Sequence, residues 1–289
     1  MYPVCYGWLV AAIVGTIDDR DWSQLNRAQL RRHLELEGYA VLADVLSEEH
    51  VAELKACAAP WELTPRDYSP NQRSRNELQW DGGPITALIA HRPTIDFLGE
   101  LFGDDVRFIH YSYDRSDPGS PGISLHADGQ PYGSTIFGYE GSSPVTVRVL
   151  YYLNDLTPEV SPFRVIPRSH LSLHADGNPY ERYDAHQEQV VVTCRAGSAL
   201  LLNHRVFHGT LPNTGDRERA MLAVAYRPAW AGPIQEVTAW DEAKLAQLPP
   251  EVRALFGDPS ERKFDFNVGN KPANMRRNPA GIRPSRWSA

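Results

Sequence analysis

The sequence predicts a mainly β fold with flanking helices, and three observations carry that expectation. First, residues 105–230 break into short apolar runs separated by turn clusters, the pattern of an all-β barrel or sandwich. Second, the longest of these runs, Val145 to Leu153 (VTVRVLYYL), is dense in β-branched and aromatic residues. Third, apolar residues at helical spacing are concentrated before residue 105 and after residue 239, outside the β-rich stretch.

Taken in order, Arg27 to Leu36 reads as a helix that Gly38 can stop, and Tyr39 to Val45 as a strand. Ser47 is placed to cap a second helix with Glu48 and Glu49 in its first turn and Val51, Leu54 and Cys57 on its apolar side. Pro60 to Gly83 is polar and rich in Pro, Asn, Arg and Asp, and is expected to be a long loop. Pro84 to Ala90 and Thr94 to Phe102 read as helical, ended by Gly103. Strands are then expected at Val106 to Tyr113, Ile123 to Ala127, Val145 to Leu153, Phe163 to Ile166, Gln189 to Thr193, Ala199 to Leu202 and Ala220 to Tyr226. Gln130 to Ser143 is a loop, and Trp240 to Phe256 makes one or two helices. The organisation is one domain over residues 1–289, with an N-terminal helical and loop framework (1–104), a β core (105–230) and C-terminal helices and tail (231–289).

With 289 residues, 42% hydrophobic and 22% charged, the chain is long enough for a full core and has the composition of a soluble globular protein. Its net charge of −7 argues against a nucleic-acid partner. The apolar stretch Trp8 to Ile17 is about half of what a membrane span needs, so no membrane partner is expected. Cys5, Cys57 and Cys194 are widely spaced with no C-x-x-C pair, which fits a reducing compartment and a cytoplasmic location. The basic residues from Arg262 onward form a Pro- and Asn-rich tail rather than a nucleic-acid arm, and the sequence leaves the oligomeric state open.

Two histidines and one carboxylate on a shared face suit a divalent metal with open positions. Residues i and i+2 of a strand point to one side, so His-x-Asp at a strand end supplies two such ligands. The pattern His-x-Asp/Glu occurs four times here, at His33/Glu35, His126/Asp128, His174/Asp176 and His186/Glu188. The first falls in a predicted helix, where i and i+2 diverge, and the last lies in a charged loop. The other two sit in the same phrase, Ser-Leu-His-Ala-Asp-Gly, at 124–129 and 172–177. Context favours the first copy, which follows one predicted strand and precedes the strongest, because a ligand pair needs a rigid base.

The ordered set of His126-x-Asp128, Tyr152-Leu153-Asn154-Asp155, Val165-Ile166-Pro167-Arg168-Ser169-His170, His208-Gly209-Thr210 with Pro212-Asn213, and Arg219 resembles the phytanoyl-CoA dioxygenase family. Gly38-Tyr39-Ala40-Val41-Leu42 followed by a helix from Ser47 resembles that family's opening, so the likeness covers roughly residues 27–228. The resemblance implies a double-stranded β-helix (jelly-roll, cupin-like) core and an iron(II)- and 2-oxoglutarate-dependent oxygenase that uses O₂. It implies that His126, Asp128 and His208 bind the metal, that Arg219 pairs with the distal carboxylate of 2-oxoglutarate with Thr210 beside it, and that Leu150, facing the barrel interior, also belongs to the 2-oxoglutarate site. A guanidinium fork suits a carboxylate on physical grounds as well. The metal pair precedes the Pro-x-Ser-His segment in the family, which selects His126/Asp128 over His174/Asp176. Ser161-Pro162 and Arg168 stand where the family usually has Asn-Gly and Gly, which changes the turn chemistry there.

The implied reaction is hydroxylation of a small metabolite with release of succinate and CO₂, in the manner of secondary metabolism. Desaturation, cyclisation, epimerisation and endoperoxide formation are the alternatives within the class. A cupin-like metal isomerase or hydrolase, or a non-catalytic ligand-binding barrel, are the alternatives outside it. For substrate contacts, strand alternation puts Arg148 and Tyr152 on the face of Leu150. Tyr111 and Tyr113 on the preceding strand, Gln79 and Trp80, and the loop that contains Gln130 and Tyr132 are the further candidates.

Overall fold

The computed structural model describes residues 15–103, 105–126, 146–171, 186–229 and 240–256. Among the described residues, twelve strands run in chain order as β1 (Thr16–Asp18), β2 (Tyr39–Leu42), β3 (Thr64–Arg66), β4 (Ser69–Asn76), β5 (Val106–Ser116), β6 (Ile123–His126), β7 (Val147–Tyr152), β8 (Phe163–Val165), β9 (Val190–Val192), β10 (Ala199–Asn203), β11 (His208–Thr210) and β12 (Arg219–Pro228). They form a seven-stranded sheet in the order β2-β10-β7-β12-β5-β4-β3 and a five-stranded sheet in the order β1-β9-β8-β11-β6. This is the double-stranded β-helix expected. Every pairing among the described strands is antiparallel except β1 with β9.

The large sheet is built on β12, all ten of whose residues are buried. Register fixes which side chains share a face. Arg219, Met221 and Ala223 stand opposite Ser116, Asp114 and Ser112 of β5, while Met221, Ala223 and Ala225 stand opposite Tyr152, Leu150 and Arg148 of β7. These residues form the inner face, toward the small sheet. The alternate residues, Tyr111, Tyr113, Val149, Tyr151, Leu222 and Val224, form the outer face and are also buried.

Helices cover that outer face. Helix α1 (Arg27–Glu37) begins with a capping box between Asn26 and Gln29 and ends at Gly38 in the left-handed region. Gly38 is required twice over: its φ is +88°, and a Cβ there would lie 2.6 Å from Val206 Cγ2. Helix α2 (Glu48–Ala58) takes its cap from Ser47, as expected. Two further helices follow, α3 (Gly83–Ala87) and α4 (Arg92–Phe102). The Tyr151 hydroxyl donates to Thr94 Oγ1 of α4 at 2.8 Å, and the Tyr226 hydroxyl donates to the Ile89 carbonyl at 2.8 Å. Short helices α5 (Glu242–Gln247) and α6 (Pro250–Arg253) close the C-terminal side, where Phe108, Phe256, Trp80 and Trp240 cluster.

Most predicted strands form within a few residues of their expected ends. The segment 60–83 differs: it is not a loop but the hairpin β3–β4, which extends the large sheet past β5. Its inward residues Gln72 and Ser74 are buried yet polar, so no apolar alternation marks the strand. β11 escapes the sequence for another reason, since His-Gly-Thr has no strand signature of its own. The sheets thus recruit strands from ahead of residue 105, with β1 in one and β2, β3 and β4 in the other. Of the apolar stretch Trp8 to Ile17, only its last two residues fall in β1 and residues 8–14 lie outside the described residues, as does the tail from Arg262. No described helix is long and apolar enough to cross a membrane.

Candidate active site

His208 and His126 meet because β11 and β6 pair in antiparallel register with these two residues directly opposite. Their ring centroids are 4.5 Å apart, and Phe163 of β8 stacks on His208 at 5.8 Å. His208 Nδ1 lies 2.9 Å from the Val206 carbonyl. A carbonyl can only accept, so Nδ1 carries the proton and Nε2 carries the lone pair of the neutral ring. This is the tautomer that a metal-binding histidine needs, fixed by its own backbone. The strand pairing shifts register between His208 and Thr210, and the Thr210 hydroxyl bridges the irregularity by accepting from Ile123 N–H at 3.0 Å. Gly122 sits at the same point with φ +81°, where a Cβ would be 2.5 Å from the Thr210 carbonyl oxygen.

These groups open on a cavity of about 360 Å³ between the sheets. On the facing wall stands Arg219, whose exposure is 0%. Its Nη2 donates to Ser116 Oγ and its Nη1 to the Met221 thioether at 3.0 Å, while its Nε has no partner. Among the described residues no carboxylate pairs with it. A buried cation held only by neutral acceptors is costly, and an acidic ligand relieves that cost. The Tyr152 hydroxyl, next to the guanidinium, is also buried without a well-aligned partner. Burial pushes that phenol well above its ordinary pKa, and Arg219 opposes the rise. Leu150, Thr210 and Arg148 line the same cavity.

The turn between β3 and β4 overhangs the mouth with Arg66, Asp67 and Tyr68. Arg66 Nη2 reaches across to Asp114 Oδ1 at 3.2 Å, and Ser112 Oγ donates to the other carboxylate oxygen at 3.1 Å. Tyr68 is half exposed, and its phenol pKa is raised by burial.

Several expected contacts lie elsewhere. Tyr111 and Tyr113 do not line the cavity, because strand parity on β5 sends Ser112, Asp114 and Ser116 inward and the tyrosines outward. Tyr111 is wholly buried under the helices with its phenol pushed far up by burial, and Tyr113 packs edge-on to Trp61 at 5.4 Å. Gln79 is buried in the short helical turn Leu78–Trp80, and Trp80 packs on Trp240 and Phe256, so both belong to the outer layer. Asp128, Gln130, Tyr132 and the second phrase with His174 and Asp176 lie outside the described residues. Accordingly, no group of three metal-binding side chains occurs among the described residues, and the expected triad is represented by its two histidines. Sequence reasoning missed Asp114, Ser116 and Gln72. Only the inner-face parity of β5 points to the first two, and nothing in the sequence points to Gln72.

The residues present fit the expected groups. The donor set of two facing imidazoles suits an iron(II) ion, and the unneutralised buried guanidinium suits a dicarboxylate. The family model of phytanoyl-CoA dioxygenase matches residues 34–221. A comparison with curated proteins finds no match. Among solved structures, the chain is similar to the non-haem α-ketoglutarate-dependent epimerase SnoN from nogalamycin biosynthesis, with 20% identity over 71% of this chain and 82% of that one and a TM-score of 0.60. It is similar to the carbocyclase SnoK of the same biosynthesis, with 20% identity over 73% and 87% and a TM-score of 0.58. HygX from Streptomyces hygroscopicus, with nickel and 2-oxoglutarate bound, matches with 20% identity over 76% and 93% and a TM-score of 0.59. At such identity these structures speak for the fold. The match of the family model over residues 34–221 shows more: the chain belongs to the phytanoyl-CoA dioxygenase family of iron(II)- and 2-oxoglutarate-dependent oxygenases.

Proposed function

We propose that this chain hydroxylates a small-molecule metabolite, with His126, Asp128 and His208 holding the iron and Arg219 receiving the distal carboxylate of 2-oxoglutarate. The observation that carries the reading is Arg219: a fully buried guanidinium, on the cavity wall that faces the histidine pair, with only neutral partners among the described residues. When bound, iron and 2-oxoglutarate supply the oxidising power, releasing succinate and CO₂ as O₂ is consumed.

The protein's share is orientation and exclusion of water. Arg219 fixes one end of the co-substrate by a charge-assisted fork, with the Thr210 hydroxyl beside it. Val206 holds His208 in the ligating tautomer. Leu150, Phe163, Leu202 and Ala223 make the cavity wall apolar, which strengthens every polar contact inside it. The Arg66–Asp114 pair and Tyr68 give the mouth a polar rim, which supports a substrate bearing hydroxyl or charged groups.

HygX has a structure with hygromycin B bound and SnoN one with nogalamycin RO, which supports a small natural-product substrate. That SnoN is an epimerase and SnoK a carbocyclase supports epimerisation or ring closure as the second reading. The acidic chain, at net charge −7, supports neither nucleic acid nor an anionic membrane as partner, and the free thiols of Cys57 and Cys194 fit the cytoplasm. The test is formation of succinate from 2-oxoglutarate with iron(II) under air. Succinate above the iron-only background, lost in His208→Ala, supports the reading; no succinate from the iron-loaded protein favours a cupin-like isomerase or hydrolase instead.

A further inference from the structure

We propose that Ser116 and Gln72 form a neutral strut that positions Arg219, so that the N-terminal hairpin β3–β4 helps set affinity for the co-substrate; this rests on the reading of Arg219 as the anchor for 2-oxoglutarate. The three residues stand side by side on three adjacent strands. Arg219 of β12 is opposite Ser116 of β5, and Ser116 is opposite Gln72 of β4. All three have an exposure of 0%.

The direction of the hydrogen bonds follows from valence. A guanidinium only donates, so Ser116 Oγ accepts from Arg219 Nη2. Its single proton is then given to Gln72 Oε1, which also receives the Ser120 hydroxyl at 3.3 Å. The Asn213 amide donates to the Ser116 carbonyl at 2.9 Å and pins that backbone. The strut therefore orients the guanidinium without neutralising it. A carboxylate at either position would pair with Arg219 and compete with the ligand. With hydroxyl and amide instead, the fork is aimed and its charge is kept for the incoming dianion. The same hairpin carries Arg66 and Tyr68 at the cavity mouth, so one element touches both the substrate entrance and the co-substrate anchor.

Ser116 and Gln72 are positioning residues, and the test separates that role from a merely structural one. Calorimetric titration of the oxygen-free, manganese(II)-loaded protein compares 2-oxoglutarate with 2-oxobutyrate, which has no distal carboxylate. Ser116→Ala is expected to weaken 2-oxoglutarate about tenfold, the size of one hydrogen bond to a charged group, and to leave 2-oxobutyrate unchanged. Ser116→Thr, which keeps the hydroxyl, is expected to restore binding, while Gln72→Leu weakens it in the same selective way and carries the test if Ser116→Ala does not fold. Equal loss for both acids, or no loss for either, overturns the strut. A wild-type protein with no preference for 2-oxoglutarate over 2-oxobutyrate instead overturns the anchor role of Arg219, and the strut with it.

Discussion

Replacing Arg219 by Met is expected to make the ligand-free protein more stable and the ligand-bound protein less so. The side chain is fully buried and lacks a carboxylate partner among the described residues, so wild type carries the desolvation cost of a cation. Methionine removes that cost and fills similar volume. It forfeits the hydrogen bond to Ser116, but that hydroxyl still donates to Gln72, so no donor is orphaned. By analogy with buried ions replaced by apolar residues, the net gain is about 1–2 kcal/mol. Ligand reverses the order. At 2-oxoglutarate near 100 times its dissociation constant, wild type gains about 2.7 kcal/mol by mass action, which for a chain of this size is a rise in melting temperature of about 4–5 °C. The variant gains almost nothing. Thermal melts of both proteins with manganese(II), with and without 2-oxoglutarate, should therefore cross. The reasoning fails if Arg219→Met keeps the ligand-induced shift, or if it melts well below wild type when no ligand is present.

Thr210→Val leaves the Ile123 amide, now served at 3.0 Å, without its acceptor, so urea denaturation should show a loss of about 1–2 kcal/mol. Arg168 has φ +67° where the family usually has Gly, and its side chain forks onto Glu37 at 2.8 and 3.0 Å. Arg168→Gly should therefore be more stable than Arg168→Ala by about 1 kcal/mol, because only Ala keeps the left-handed strain once the fork is lost; equal denaturation midpoints would count against this. His33 and His91 are both held below the usual histidine pKa, His33 by burial and then Arg20, His91 by burial and then His50. A depressed histidine leaves the folded state short of protons relative to the unfolded chain, so stability is fully present above about pH 6.5 and falls as pH drops through the folded values. His91→Asn should flatten that acid limb in melts taken from pH 7.5 to 5; an unchanged slope argues that His91 contributes nothing to it.

The helices and most strands were legible because their signals are local. Helical spacing marks the helix that begins at Arg27, Gly38 stops it, Ser47 caps the next, and Val147–Tyr152 carries the β-branched and aromatic residues of a buried strand. What could not be read was the hairpin β3–β4, where the inward residues Gln72 and Ser74 are buried yet polar. Hydrophobic alternation finds strands that bury apolar side chains, and this strand buries polar ones, of which Gln72 reaches Ser116 beside the buried Arg219.

Parity on β5 was the other gap. Ser112, Asp114 and Ser116 alternate with Tyr111 and Tyr113, and either set could face the cavity until the partners of each face were known. By itself the sequence pointed to the family and to most of the helices and strands, because those signals depend on neighbours along the chain. Only the tertiary structure decided that His126 stands across a strand pair from His208 and that Arg219 is buried behind Ser116 and Gln72. Those relations are set by register between strands distant in sequence, and a shift of one residue would turn every one of these side chains to the opposite face.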